Sequence, residues 1–78
     1  MTDIQSPFPG TFYCRPSPKD EPFKSTGSSV KIGETMGLIE VMKTFFEVKA
    51  EITGTFDSYV IEDGSPVTAG QVLAKLKV

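Results

Sequence analysis

The stretch GSSVKIGETM at residues 27–36 is repeated, with substitutions, as GSPVTAGQVL at residues 64–73. Both stretches place a glycine, a valine and a second glycine at the same spacing. The tripeptide GTF also occurs twice, at residues 10–12 and 54–56, and precedes each stretch in the same order. Matched motifs in matched order indicate that the chain consists of two copies of one structural unit.

Each copy has the pattern of short β-strands. In the second copy, apolar residues alternate with polar ones at Phe46, Val48, Ala50 and Ile52, which we expect on one buried face. Glycines and prolines interrupt every window long enough for a helix, and the shared glycines are expected in turns with positive φ. We therefore predict an all-β fold, a flattened antiparallel β-barrel or sandwich. Its two four-stranded halves would be related by a quasi-twofold axis and cover roughly residues 6–42 and 44–78.

The first copy is longer than the second because of an insertion. Gly10 and Gly27 are 17 residues apart, whereas Gly54 and Gly64 are 10 apart, so the first copy carries 7 extra residues. They lie within CRPSPKDEP at residues 14–22, whose prolines lack an N–H donor and fix φ. We predict a stiff protruding loop here, which is either a tolerated surface insertion or a loop that contacts a ligand. The predicted domain covers residues 6–78, after a short tail at 1–5.

The two copies meet at Met42-Lys43, between the apolar strand patterns LIEV and TFFEV. Two strands joined by two residues form a hairpin, but tight hairpin turns prefer Asn-Gly or Asp-Gly. A turn that departs from this preference is a candidate functional position. An exposed Lys43 would be protonated at neutral pH, so it is a poor nucleophile by itself but a suitable acceptor for another enzyme. The alternative is an ordinary surface lysine.

The composition argues against catalysis by the chain itself. There is no histidine and a single cysteine, Cys14, so no Ser-His or Cys-His pair, internal disulfide or ordinary zinc site can form. We expect a structural Cys14, no metal and no catalytic residues. With 8 basic and 10 acidic residues we expect no nucleic-acid partner. No apolar run is long enough to cross a membrane, and the first ten residues lack the pattern of a signal peptide, so we expect no membrane partner and a cytoplasmic location.

The sequence EVMKT at residues 40–44, flanked by both GTF motifs, resembles the attachment site of the biotinyl/lipoyl attachment domain family. The resemblance covers residues 6–78 and implies covalent attachment of the cofactor to Lys43. Methionine at position 42 is typical of biotinyl members and implies biotin, whereas Glu40 is common to both branches. Two departures flank the acceptor: Val41 replaces the usual alanine, and Thr44 replaces the usual methionine.

The insertion strengthens the biotinyl interpretation. SPFPGTFYCRPSPKDEPF at residues 6–23 resembles the start of the biotinyl domain of bacterial acetyl-CoA carboxylase carrier subunits, which has a protruding thumb that can contact the biotin ring. Residues 14–22 are therefore called the thumb below. The resemblance implies four thumb residues as candidates for contact with the cofactor: Pro16, Ser17, Pro18 and Lys19.

This resemblance implies that the chain is a non-catalytic biotin carboxyl carrier. The implied partners are a biotin protein ligase, a biotin carboxylase and a carboxyltransferase. The implied enzyme is an acetyl-CoA carboxylase of fatty acid biosynthesis, or a related acyl-CoA, amide or urea carboxylase. Two alternatives stay open: a lipoyl carrier domain and an unmodified β interaction module. Phe45, expected to point outward beside the turn, either helps a partner to dock or packs over the sheet.

Overall fold

The computed structural model describes all 78 residues and consists of eight antiparallel strands without a helix. The all-β prediction is therefore confirmed. The chain therefore forms no helix that could span a membrane. The strands are β1 (Thr2–Gln5), β2 (Gly10–Tyr13), β3 (Ser29–Val30), β4 (Thr35–Val41), β5 (Thr44–Lys49), β6 (Gly54–Tyr59), β7 (Ser65–Val67) and β8 (Val72–Lys77).

The strands form two four-stranded sheets that interleave the two copies. One sheet has the order β1-β8-β6-β3 and the other has the order β5-β4-β2-β7. The two sheets are equivalent when the first four strands are exchanged with the last four: β1, β8, β6 and β3 correspond to β5, β4, β2 and β7. The quasi-twofold prediction is therefore confirmed, with each sheet taking two strands from each copy.

The repeated glycines form equivalent turns in the two copies. Gly27 donates its backbone N–H to the carbonyl of Phe56 at 2.9 Å, and Gly64 donates to the carbonyl of Phe12 at 2.7 Å. These reciprocal bonds tie each copy to the other. All four glycines shared by the 27–36 and 64–73 stretches have positive φ, as predicted: Gly27, Gly33, Gly64 and Gly70.

The core lies between the sheets and is built from equivalent residues of both copies. Thirteen buried hydrophobic residues form a single cluster. Its two buried phenylalanines, Phe12 and Phe56, come from the two GTF motifs and are 1% and 2% exposed. Cys14 belongs to the same cluster, and burial raises the pKa of its thiol above the usual value. A buried, protonated thiol is unreactive, in agreement with the predicted structural role.

The expected tail at residues 1–5 differs from the structure, which forms β1 there. Thr2–Gln5 pair antiparallel with β8, and Ile4 is buried in the core. The segment TDIQ carries only one apolar residue, so alternation alone could not identify it as a strand. The quasi-twofold axis relates β1 to β5, and each of these strands lies at the edge of its own sheet.

The expected core position of Phe46 is also wrong. Phe46 shares a face with the buried Val48, but its side chain is 43% exposed. Its ring meets that of Phe8 edge-on, with the two centroids 5.0 Å apart. Period-two alternation predicts the face on which a side chain lies, but it does not predict how much of that face the rest of the chain covers.

Tyr59 links β6 to the rest of the core through its hydroxyl. The hydroxyl donates to the carbonyl of Met36 at 2.7 Å and accepts the backbone N–H of Lys24 at 3.2 Å. Its ring lies 4.6 Å from that of Phe56. Burial raises the pKa of Tyr59 to about 12, because the charged phenolate is disfavoured away from water.

Stability is expected to fall at alkaline pH as Tyr59 ionises. Its pKa is higher in the folded than in the unfolded chain, so its contribution is complete below about pH 10 and is lost as the pH approaches 12. Tyr59→Phe should be less stable than the wild type at neutral pH, because Met36 and Lys24 lose their partner. Urea unfolding across this pH range should show that the difference in free energy of unfolding between the wild type and Tyr59→Phe decreases as the pH rises. A free-energy difference that does not change with pH would contradict this role of the Tyr59 hydroxyl.

Candidate functional site

The hairpin between β4 and β5 ends in the two-residue turn that the sequence predicts. Val41 pairs with Thr44, which leaves Met42 and Lys43 as the turn residues. Their φ values are 50° and 66°, the left-handed region that primed turns require. They are the only non-glycine residues with positive φ in the chain. Each such residue costs on the order of 1–3 kcal/mol, and strain of this kind concentrates at functional sites.

Glu40 connects this strained turn with the neighbouring strand through two long hydrogen bonds. Its Oε2 accepts the backbone N–H of Lys43 at 3.3 Å, and its Oε1 accepts the hydroxyl of Tyr13 on β2 at 3.4 Å. Partial burial, followed by the neighbouring Glu40 carboxylate, raises the pKa of the Tyr13 hydroxyl. The hydroxyl therefore stays protonated and continues to donate. Glu40 is thus a link between the turn and the neighbouring strand.

The side chain of Lys43 is free. The residue is exposed, and none of the four ion pairs of the chain involves it. Met42 beside it is 92% exposed. The Lys43 amine is therefore held at a defined position of the backbone, with its side chain unengaged.

Val41 and Thr44, which depart from the usual sequence around the acceptor lysine, have different surroundings. Val41 is half-buried and packs against the core, so its extra bulk faces away from the exposed tip. A Cβ on Gly10 would lie 3.1 Å from the Cγ2 of Val41, and only 2.7 Å from the carbonyl oxygen of Glu40, so β2 and β4 lie close together here. Thr44 is exposed at the start of β5. The exposed residues of the tip are therefore Met42, Lys43 and Thr44.

The thumb lies between β2 and β3 and contains no strand, as the sequence predicts. Phe23 donates its N–H to the carbonyl of Cys14 at 2.8 Å and so closes the base of the loop. Within the loop, the Ser17 hydroxyl donates to Asp20 at 2.8 Å. Asp63, from the turn before β7, accepts the N–H of Cys14 at 2.8 Å. The base of the thumb is thus attached to the second copy of the repeat.

A groove of about 260 Å³ separates the thumb from the outer face of the β4–β5 hairpin. Phe45 points outward as predicted, is 58% exposed, and its ring centroid lies 6.1 Å from that of Tyr13. Leu38 pairs with Tyr13 across the sheet and joins this apolar floor. The remaining lining residues are Arg15, Pro16, Ser17, Pro18 and Asp63.

The structure therefore brings together three of the four predicted thumb residues. Pro16, Ser17 and Pro18 line the groove, whereas Lys19 is exposed and does not line it. Sequence reasoning missed the groove residues Tyr13, Arg15, Leu38 and Asp63. Alternation on β2 could have identified Tyr13, because it follows the buried Phe12 and must face outward. No sequence signal connects Asp63 with the thumb.

An all-β sandwich that displays one unengaged lysine on a strained turn has the architecture of a domain that carries an attached group. Comparison with known families agrees with this class. The chain belongs to the biotin/lipoyl attachment family, since the family model described as "Biotin-requiring enzyme" matches residues 2–76.

Several relatives are similar over most of this chain. The biotin carboxyl carrier protein of acetyl-CoA carboxylase from Pyropia yezoensis is 40% identical over 74 residues, which are 95% of this chain and 47% of the relative. The protein of the same name from Pseudomonas aeruginosa is 40% identical over 70 residues, 90% of this chain and 45% of the relative. A chloroplastic protein from Arabidopsis thaliana is 42% identical over 65 residues, 83% of this chain and 26% of the relative. The chain thus spans half or less of the length of these relatives.

Proposed function

We propose that this chain is a biotin carrier, with the biotinyl group on the amine of Lys43. The observation that carries the proposal is the turn itself. Met42 and Lys43 are held in the left-handed region, and the Lys43 side chain is left unengaged. The two-residue turn requires this backbone, but glycine or asparagine would adopt it with less strain, and presentation of the lysine to a ligase explains why Met-Lys is used instead. Acylation would turn the Lys43 ammonium into a neutral amide on a long flexible side chain.

The residues around the tip fit biotin. When bound, biotin supplies a ring nitrogen that can carry a carboxyl group. The groove beside the hairpin is large enough for a small ring and has an apolar floor formed by Tyr13, Leu38 and Phe45. Pro16, Ser17 and Pro18 form the thumb side of the groove and are the thumb residues that we propose to contact the cofactor. Lys19 is the least suited of the four, because it lies outside the groove.

The carrier would act with other proteins and has no chemistry of its own. The relatives are named as carrier proteins of acetyl-CoA carboxylase, which supports a place in a biotin-dependent carboxylase. We propose a biotin protein ligase, a biotin carboxylase and a carboxyltransferase as partners, acetyl-CoA as the acceptor, and a cytoplasmic location. Tethering raises the effective concentration of the arm at each partner's site, so that no free intermediate has to diffuse.

A lipoyl carrier is the second candidate, because the family includes lipoyl domains. Methionine at position 42 and the presence of the thumb favour biotin. An unmodified interaction module would leave the use of Met-Lys, in place of residues suited to this turn, unexplained.

Transfer of label from bicarbonate tests the carrier function. The biotinylated chain, incubated with ATP, Mg²⁺, labelled bicarbonate and the biotin carboxylase of the same organism, should become labelled. The Lys43→Arg variant, treated identically, should not. Labelling of both proteins would contradict the proposal. Labelling of neither protein would also contradict it, provided that the carboxylase labels free biotin in the same assay.

A further inference from the structure

A second cleft, of about 270 Å³, lies between β1 and the segment that follows β5. Residues 2–7 form one wall, and Lys49, Glu51 and Ile52 form the other. The cleft shares no residue with the groove beside the thumb. β5 starts next to Lys43, and a six-residue strand is about 20 Å long, so Lys49 and the cleft lie far from the tip.

The two walls of this cleft are equivalent segments of the two copies. Ser6 donates its N–H to the carbonyl of Gln71, and Ala50 donates its N–H to the carbonyl of Glu34 in the same way. Ser6 therefore corresponds to Ala50, at the offset of 44 residues that also separates the two GTF motifs.

The side chains at equivalent positions differ in size, and this difference opens the cleft. By the same offset, Thr2 corresponds to Phe46 and Ile52 corresponds to Phe8. The rings of Phe46 and Phe8 are in contact, with their centroids 5.0 Å apart. The smaller Thr2 and Ile52 instead line the cleft. The internal symmetry therefore indicates which side chain fits the cleft, namely an aromatic ring in the place of the one that Thr2 lacks.

β1 offers backbone hydrogen bonds beside this cleft. It lies at the edge of its sheet, so one row of its backbone groups has no partner strand. The backbone groups of Ser6 bond to residues 70 and 71 on the β8 side. Because these groups alternate in direction along a strand, those of Asp3 and Gln5 point away from β8. An extended peptide pairs with such an edge as an added strand.

The charges of the cleft favour a basic partner. Two carboxylates, Asp3 and Glu51, and one ammonium, Lys49, line it. Asp3 meets Lys75 at 3.9 Å and Lys49 meets Glu47 at 3.8 Å. Glu51 is exposed and takes part in none of the four ion pairs. A lysine or arginine of a bound peptide therefore complements Glu51.

We propose that this cleft binds an extended segment of a partner protein, in which an aromatic residue is followed or preceded by a lysine or arginine. The segment adds as a strand to β1, its ring enters the space between Thr2 and Ile52, and its cation meets Glu51. This contact holds the domain at a place far from the tip, so Lys43 stays free to reach other sites. The inference does not depend on which group Lys43 carries.

Selection from a phage-displayed library of random peptides tests this site. The library is depleted on Thr2→Phe, whose added ring should fill the cleft, and is then selected on the wild-type chain. The enriched peptides should contain Phe, Tyr or Trp beside Lys or Arg. A synthetic peptide of the most enriched sequence should bind Thr2→Phe about 10-fold or more weakly than the wild type, because its ring stays in water. It should bind Glu51→Gln about 2- to 5-fold more weakly, as expected for an exposed ion pair.

Amide chemical shifts of the ¹⁵N-labelled chain locate the bound peptide. The peptide should shift the amides of Asp3, Gln5 and Ile52 and leave that of Lys43 unchanged. Thr55→Phe is the matched control, because Thr55 is exposed on β6 and lies outside the cleft. This variant should bind the peptide as tightly as the wild type does.

If Thr2→Phe does not fold, the library is selected on the wild type alone, and the amide shifts with Glu51→Gln decide. Enrichment of no peptide, enriched peptides without an aromatic residue, or shifts confined to the tip would overturn the inference. Biotinylation of Lys43 is measured separately by intact mass, so a failure of this cleft to bind peptides leaves the proposed function unchanged.

Discussion

Replacing Phe12 by alanine is expected to lower the free energy of unfolding by about 3–5 kcal/mol. Phe12 is 1% exposed and belongs to the core cluster. Its ring packs so closely on Gly37 that a Cβ there would lie 2.5 Å from the ring Cε1. The neighbouring backbone cannot move in to fill the space, because β2 is paired on both sides, with β4 and with β7.

A loss of this size is a large part of the stability of a small domain, which is about 5–15 kcal/mol. Thermal or urea unfolding of Phe12→Ala should therefore show a strongly reduced midpoint or no cooperative transition. The matched control is Phe45→Ala, which removes the same ring from a position that is 58% exposed. It should cost less than about 1 kcal/mol, as is usual for surface substitutions. Equal losses for the two variants would contradict the assignment of the core.

Replacing Glu40 by alanine is expected to slow acylation of Lys43 by its ligase about 5- to 30-fold. The substitution removes the acceptor for both the Lys43 N–H and the Tyr13 hydroxyl. Hydrogen bonds of this kind contribute about 0.5–1.5 kcal/mol each, and a loss of about 1–2 kcal/mol corresponds to this factor. Without them the left-handed turn should be populated for less of the time.

The measurement is the rate of biotin incorporation, together with hydrogen exchange of the Lys43 amide. Faster exchange distinguishes a loosened turn from the loss of a direct contact with the ligase. Glu47→Ala is the control, because Glu47 is exposed on the same hairpin and its side chain bonds only to Thr35 and Lys49. A Glu40→Ala chain with wild-type exchange and a wild-type rate would show that Glu40 does not hold the turn.

The parts of the fold that the sequence predicts are those with local signals. Gly27 and Gly64 are identifiable as turn positions because the two copies share them, and both have positive φ. The turn at Met42-Lys43 is recognisable as a candidate site because its residues are unsuited to a tight turn. The thumb is recognisable because its prolines cannot continue a strand.

The parts that the sequence could not predict depend on contacts between distant segments. The groove joins Arg15 with Leu38 and Asp63, which meet only because strands of the two copies interleave in each sheet. The 43% exposure of Phe46 depends on how much of its face distant segments cover. β1 forms a strand because it pairs with β8, and its own four residues give little indication of this.

The central claim is that the turn presents Lys43 as the acceptor of a biotinyl group. Intact mass and peptide mapping, after co-production with the biotin ligase of the same organism and free biotin, test it most directly. The account predicts one biotinyl group, located on the peptide that contains Lys43, and none on the Lys43→Arg variant. An unmodified chain, or biotin on another residue such as Lys49, would contradict it.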